Sequence, residues 1–264
     1  MSSEYTTLLV ERDQDVVTLT LNRPELHNAF NEVMIAELTR AFERLGKDSE
    51  TRALVLTGAG ESFCAGADLN WMKKVAAYTS AQNKADALRL HKMLLAVYRC
   101  PKPVIAKING AAVGGGVGLV AAADIAFAAE TARFGFSEVR LGLIPAVISP
   151  FVMCKIGEAN AREYFLSGER FSAARAKEMG LVQYVAAATA LPEQIQEKLR
   201  HLRQGGPTAL AACKKLIEKV GGASLEKMGL FTSAQIAARR SSPEGKEGMN
   251  AFLAKRKPNW ISSS

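Results

Sequence analysis

Apolar residues gather in short β-rich runs along the first two-thirds of the chain and fall at helical spacing afterwards. Residues 7–11 and 16–21 flank Asp13-Gln14-Asp15, the pattern of two strands joined by a turn. Asn22-Arg23-Pro24 ends the second run. From Asn31 to Leu45, apolar Val33, Met34, Leu38, Ala41, Phe42 and Leu45 repeat with helical period, and Asn31 is placed to cap the helix. A strand over 53–57 follows, then a helix from about Asp68 and a longer one from about Ser80 to Tyr98. Pro101 and Pro103 end the latter before a strand at 104–108. An Ala-rich helix (Leu119–Ala123) and a strand over 124–128 complete another unit. This alternation predicts an α/β fold whose strands are covered by helices. After Leu191 the strand signals vanish, and 191–203, 207–220, 225–240 and 243–254 all read as helices. The pattern therefore divides the chain into an α/β core over residues 1–190 and an all-helical region over 191–264.

Two segments carry candidate chemistry. Phe63-Cys-Ala-Gly-Ala-Asp-Leu69 and Asn109-Gly-Ala-Ala-Val-Gly-Gly-Gly116 each follow a strand and open a helix through small residues. Small side chains let a ligand approach the main chain, and a helix start offers unpaired N–H groups with a favourable dipole. Two such starts facing each other make a two-donor oxyanion hole. Other readings of the same residues are weaker. Gly116-x-Gly118-x-x-Ala121 matches a dinucleotide fingerprint in form, with Glu138 about 20 residues on. Five residues separate Ile108 from Gly114, too many for the tight turn that fingerprint needs. Gly135-Phe-Ser-Glu-Val139 resembles half of a nucleophile elbow, without the closing glycine or a nearby histidine. Close helix packing explains either small-residue segment alone, but not their combination.

Glu138 is the candidate acid/base. It stands between Phe134/Phe136 and Leu141-Gly-Leu-Ile-Pro145, so desolvation would raise its pKa toward neutrality. The plain alternative is a surface carboxylate paired with Arg133 or Arg140.

Composition narrows the field. Hydrophobic residues make up 48% and charged residues 23% of 264, ordinary globular values. No apolar run approaches the ~20 residues of a membrane span. Met-Ser-Ser-Glu-Tyr lacks a signal pattern and the first 25 residues already read as a hairpin, so a cytoplasmic protein is expected. The four cysteines (64, 100, 154, 213) lie in apolar settings without C-x-x-C spacing, and with three scattered histidines they form no zinc pattern; reduced core thiols are expected. The net charge of +8 is dispersed and aromatics are 7%, so no basic–aromatic groove for nucleic acid is visible. The charge equally suits a phosphate-bearing substrate.

The AGAD segment, the NG…GGG segment and Phe134-Gly-Phe-Ser-Glu138…Leu143-Ile-Pro145 resemble the enoyl-CoA hydratase/isomerase (crotonase) superfamily, over roughly residues 5–260. The resemblance implies a ββα spiral core with a C-terminal helical trimerisation region, in a homotrimer or dimer of trimers. It implies a lyase that adds water across the double bond of an α,β-unsaturated acyl-CoA. No metal or redox cofactor is implied, since CoA arrives as part of the substrate. The N–H groups of Ala65 and Gly115 would bind the thioester oxygen, and Glu138 matches the family's second catalytic glutamate. Arg23, Leu26 and His27 fall where family members contact CoA, with Ala67, Asp68 and Leu69 in the same substrate-binding segment. Asp68 can cap the helix that follows or hold a water. Phe252 and Lys255 match a C-terminal element that reaches CoA, often in a neighbouring subunit; their plain reading is a basic helix end suited to its own dipole.

One departure matters. Known hydratases carry a first catalytic glutamate three positions after the oxyanion-hole glycine, and here that position is Gly118. Some isomerases of the family shuttle one proton with the second glutamate alone. Certain hydratases keep the same Gly-Gly-Gly-Val-Gly pattern and position water otherwise. Ala67-Asp-Leu-Asn-Trp-Met72 with Ser137-Glu-Val-Arg-Leu-Gly-Leu-Ile-Pro-Ala-Val-Ile-Ser-Pro150 is most similar to bacterial methylglutaconyl-CoA hydratases of leucine and isoprenoid degradation. The basic charge and Gly118 also permit a non-catalytic RNA-binding member, which Glu138 opposes.

Overall fold

The computed structural model describes residues 5–261; Met1–Glu4, from which the absence of a leader is partly read, lie outside the described residues. Strands β1 (Leu8–Asp13) and β2 (Val16–Leu21) pair antiparallel, and Gln14 closes their turn with a left-handed backbone at φ 53°. Helix α1 (Glu32–Lys47) starts at Asn31, whose Oδ1 accepts the Met34 N–H at 2.9 Å. The chain then runs through β3 (Ala53–Gly58), β4 (Ser62–Cys64), α2 (Leu69–Ala76), α3 (Ser80–Tyr98), β5 (Val104–Ile108), β6 (Ala111–Val113), α4 (Gly115–Ala122), β7 (Ile125–Ala129) and β8 (Arg133–Gly135). It continues with α5 (Ser149–Ser167), β9 (Arg170–Ser172), α6 (Ala173–Glu178), β10 (Tyr184–Ala186), α7 (Leu191–Gln204), α8 (Pro207–Val220), α9 (Leu225–Ser241) and α10 (Pro243–Leu253).

Two sheets result. The larger has the order β1-β2-β3-β5-β7-β10, parallel from β2 onward. The smaller has the order β4-β6-β8-β9, with only β9 antiparallel. Each pair β3–β4, β5–β6 and β7–β8 gives one strand to each sheet and is followed by a helix. That is the ββα spiral. The small sheet does not appear in the apolar pattern, because three-residue strands are shorter than any period the pattern can reveal.

The core sits on both faces of the large sheet. On one face Leu19, Leu54, Leu56 and Ile108 pack with Leu38 and Phe42 of α1, Leu94 of α3 and Val117 of α4. On the other, Val16, Val55, Ile105 and Phe127 are covered by Leu191, Ile195 and Leu199 of α7. Burial on both sides explains why β3 is apolar without alternation. Helix α7 therefore packs directly on the large sheet. Ion pairs fasten this junction: Arg203 with Asp15, and Lys214 with Asp124 at 2.6 Å. Helices α8 and α9 bury no residue completely, and Ile217, Leu225, Leu230, Phe252 and Leu253 stay largely exposed. The cysteines divide: Cys64 and Cys100 are buried, whereas Cys154 and Cys213 are exposed, contrary to a core setting for all four.

Candidate active site

The small sheet brings the two motif segments and Glu138 to one place. Strand β6 pairs with β8 through Val113↔Gly135, and the Gly114 N–H donates to Gly135 O at 2.9 Å. The residues that leave these two strands are therefore neighbours. On one side they are the glycines that start α4; on the other, the 3-10 turn Glu138–Leu141. Behind that turn Phe136 is fully buried against Phe165, with ring centroids 4.7 Å apart, and Phe134 stacks on Phe171 at 5.7 Å. Buried aromatics of this kind hold by about 3–5 kcal/mol each against truncation, so the base of the turn is stiff.

Gly114 has φ 52° and ψ −117°, a backbone that side-chain-bearing residues rarely adopt. A Cβ there would stand 3.0 Å from Glu138 Oε1. The carboxylate thus lies directly over the start of α4. The first intrahelical bond runs from Gly118 N to Gly114 O at 3.1 Å, which leaves the amides of the first turn, Gly115 among them, at the open end of the helix. A Cβ on Gly115 would meet the Phe30 ring at 2.8 Å, so this glycine is needed for close approach as well as for access.

The 65–68 segment corrects one expectation. The Ala65 N–H, read from sequence as an oxyanion donor, already donates to His27 O at 2.9 Å. Phe30 N donates to Gly66 O at 2.6 Å and Asp68 N donates to Phe30 O at 2.8 Å, forming a parallel bridge between Phe30 and Ala67. In that pairing the residue between the two bonds turns its own N–H and C=O the other way. The amide directed away from the Phe30 segment is that of Ala67, an exposed residue. Sequence spacing alone could not distinguish the two alanines, because the distinction is made by a distant partner strand.

Asp68 is a helix cap. Its Oδ1 accepts from Asn70 N at 2.7 Å and Trp71 N at 3.3 Å, and its Oδ2 pairs with Arg23 Nη2 at 2.7 Å. Arg23 Nη1 donates to Ala29 O at 2.7 Å. Arg23, expected at CoA, holds its guanidinium nearly buried, at 14% side-chain exposure. Leu26 and His27 are exposed, His27 Nδ1 lies 3.1 Å from Ser62 Oγ, and Leu69 is 74% exposed, so these residues form an open rim beside Ala67. Phe252 and Lys255 lie at the end of α10, which packs on α8 and α9. Two marked hollows, of about 380 and about 530 Å³, lie on the α1 flank and contain none of these residues.

Electrostatics separate Glu138 from every other carboxylate of the site. Burial raises its pKa above the ordinary 4.5, opposed only by its own backbone N–H. Its Oε2 is buried with no hydrogen-bond partner. Asp68 has the opposite shift: burial opposes it, but the hydrogen bonds from Arg23 and the α2 amides hold it below its usual range. One carboxylate holds a proton more readily than an ordinary carboxylate, and the other is biased toward its anion. Position 118 has no carboxylate and no room for one. A Cβ on Gly118 would sit 2.5 Å from Ile148 Cγ2 and 3.4 Å from Leu94 Cδ1. Ile148 is the residue that sequence reasoning passed over; its importance comes only from where α5 begins in space. Among the described residues no cluster of His, Cys, Asp and Glu could hold a metal ion, and no helix is long and apolar enough to cross a membrane.

Comparison with known proteins identifies the family. Residues 11–263 match the family model described as enoyl-CoA hydratase/isomerase. The chain is 35% identical to the 1,2-epoxyphenylacetyl-CoA isomerase of Escherichia coli, over 96% of this chain and 97% of that protein. It is 34% identical to the 2,3-dehydroadipyl-CoA hydratase of the same organism, over 96% and 98%. The crystal structure of an enoyl-CoA hydratase from Shewanella pealeana superposes with a TM-score of 0.94 at 40% identity, covering 97% of each chain. The chain belongs to the enoyl-CoA hydratase/isomerase family.

Proposed function

We propose that this protein hydrates the double bond of an α,β-unsaturated acyl-CoA, with Glu138 as its single proton-transferring side chain. The observation that carries the reading is the Glu138 carboxylate, half-buried, with one oxygen unpaired, lying over the amide-bearing start of α4. Ionised Glu138 takes a proton from a water as the water oxygen bonds to the β-carbon. The displaced π electrons pass to the thioester oxygen, where the N–H groups of Ala67 and Gly115 meet the charge. The enolate then takes the proton back from Glu138 at the α-carbon, and the carboxylate is restored. Preorganised donors are typically worth roughly 10²–10³-fold each in such sites.

The exposed rim of Leu26, His27 and Leu69 offers a surface for the CoA portion. Phe252 and Lys255 serve CoA bound in a neighbouring subunit, and the unburied apolar residues of α8–α10 support assembly as a trimer or a dimer of trimers. The preferred acyl group is a branched, carboxylate-bearing one such as methylglutaconyl-CoA, a choice that rests on the resemblance of residues 67–72 and 137–150.

A second reading has its own observation. The closure of position 118 by Ile148 removes the usual second carboxylate, which favours migration of a double bond by one proton shuttled on Glu138. The two reactions move absorbance in opposite directions. Hydration of 2-enoyl-CoA destroys the conjugated thioester chromophore, and isomerisation of 3-enoyl-CoA creates it. We expect loss of conjugation across a panel of 2-enoyl-CoA thioesters, fastest with methylglutaconyl-CoA. Gain of conjugation from 3-enoyl-CoA without water addition would replace hydratase by isomerase.

A further inference from the structure

The two amides assigned to the thioester oxygen come from segments far apart in the chain, and one short stretch touches both. Residues 27–30 hold the 65–68 segment by three main-chain bonds: His27 O to Ala65 N, Phe30 N to Gly66 O, and Phe30 O to Asp68 N. The ring of the same Phe30, 1% exposed, packs against Gly115. The stretch is itself fixed. His27 and Asn28 both take left-handed backbones, at φ 48° and 56°, a conformation that persists in such residues only when the surroundings impose it. Fully buried Asn28 imposes it by donating through Nδ2 to Ala59 O at 2.9 Å and Ser62 O at 2.8 Å, while Oδ1 accepts from Arg23 N at 2.9 Å. The Arg23 fork then closes the frame, joining Ala29 O on the stretch to Asp68 Oδ2 next to Ala67.

We propose that residues 27–30 are a template that sets the separation and direction of the Ala67 and Gly115 amides, and that Arg23 and Asp68 are positioning residues which hold that template. Phe30 is the spacer between the two donors. The proposal rests on the reading of those amides as an oxyanion hole. It assigns the Arg23–Asp68 pair to the polarisation of the carbonyl, not to the binding of CoA. Arg23 is needed as arginine, because a planar fork reaches two acceptors at fixed angles and an ammonium does not.

The test uses Arg23→Lys and Asp68→Asn, the latter keeping a cap-forming side chain while removing the ionic partner. Phe30→Leu alters the spacer while leaving the ion pair in place. For each folded variant, kcat and KM are measured on the enoyl-CoA that the wild type turns over fastest. The absorption of bound 4-(dimethylamino)cinnamoyl-CoA is also recorded, since this conjugated thioester shifts to longer wavelength when its carbonyl oxygen is polarised. Displacement of a reacting group by about 1 Å can cost about 10²-fold, so a kcat loss of roughly 10–100-fold is expected with KM changed less than about threefold. The red shift of the bound probe should shrink in parallel, whereas Glu138→Gln should lose turnover and keep the shift. A wild-type red shift that persists unchanged in the variants overturns the template, whatever their activity. A raised KM with unchanged kcat overturns it too, and returns Arg23 to CoA. If the wild-type protein binds the probe without any red shift, the oxyanion reading itself fails and the template fails with it.

Discussion

Two positions at α4, Glu138 over its first turn and Gly118 within it, have opposite chemistry. At Glu138 a half-buried carboxylate has one buried oxygen without a partner, and burial raises its pKa. At Gly118 the room that a side chain would need is filled by Ile148 and Leu94. One position is polar and able to titrate; the other is apolar and closed. The difference shows that the missing second carboxylate is not a simple deletion. Ile148, at the N-cap of α5, occupies the volume that a side chain at 118 would need. The proposed proton transfer then rests on Glu138 alone.

The strongest way to break this comparison is Glu138→Gln. If Glu138 is the single acid/base, kcat should fall by roughly 10²–10⁴-fold, the usual worth of general acid/base catalysis, with KM little altered because the change is nearly isosteric. Steady-state kinetics on the best enoyl-CoA decide it, and near-wild-type turnover would place the base elsewhere. In the proposed mechanism the ionised form acts as the base. Its pKa is raised above 4.5, so the ascending limb of kcat/KM against pH should lie above the ordinary carboxylate range, with no second carboxylate coupled to it.

Gly118→Glu tests the other position. The new side chain meets Ile148 at overlapping distance and brings an unpaired carboxylate into an apolar contact. Overpacking alone typically costs 1–3 kcal/mol, so a loss of stability of at least about that size is expected in denaturant unfolding, without any gain in hydration rate. Adding Ile148→Gly opens the space. The double variant should recover part of the stability, and its pH profile should acquire a second titrating carboxylate. If Gly118→Glu alone is tolerated and active, Ile148 does not define the site.

How much of this was legible in the sequence follows from the length scale of each signal. Helix α1 announces itself through six apolar residues at one period and an Asn31 cap, and the long apolar runs of β3 and β5 mark a covered parallel sheet. Glu138 could be found because its apolar flanks, Phe134, Phe136 and Leu141–Pro145, lie beside it in the chain. The choice between Ala65 and Ala67 could not be made that way, since it is decided by the bridge to Phe30. The resemblance alone places Arg23 at CoA; its partner Asp68 is brought to it only by the folded 65–68 loop. The closure of position 118 likewise needs α5 in place. Local periods reveal elements, and the site depends on contacts between elements.

The smallest effect expected is on stability, and its sign is informative. A carboxyl whose folded pKa is raised binds its proton more tightly in the folded state than in the unfolded one. Stability is therefore fully present below the unfolded value and is lost as pH rises through the folded value. For Glu138 the loss begins near 4.5 and is complete once the raised folded value has been passed. Glu138→Gln removes an ionisable group from that setting while keeping its shape. The variant and the wild type should unfold at similar denaturant concentrations near pH 4, and the variant should become the more stable of the two toward about pH 8. Asp68→Asn provides the opposite sign. Its carboxylate is held below the usual range by Arg23 and the α2 amides, so the wild type gains stability as pH rises and the variant lacks that gain. Crossing slopes for the two variants would separate the titrating carboxylate from the one biased toward its anion. Parallel slopes would mean that burial has not set these two carboxylates apart, and Glu138 would lose its claim to be poised for proton transfer.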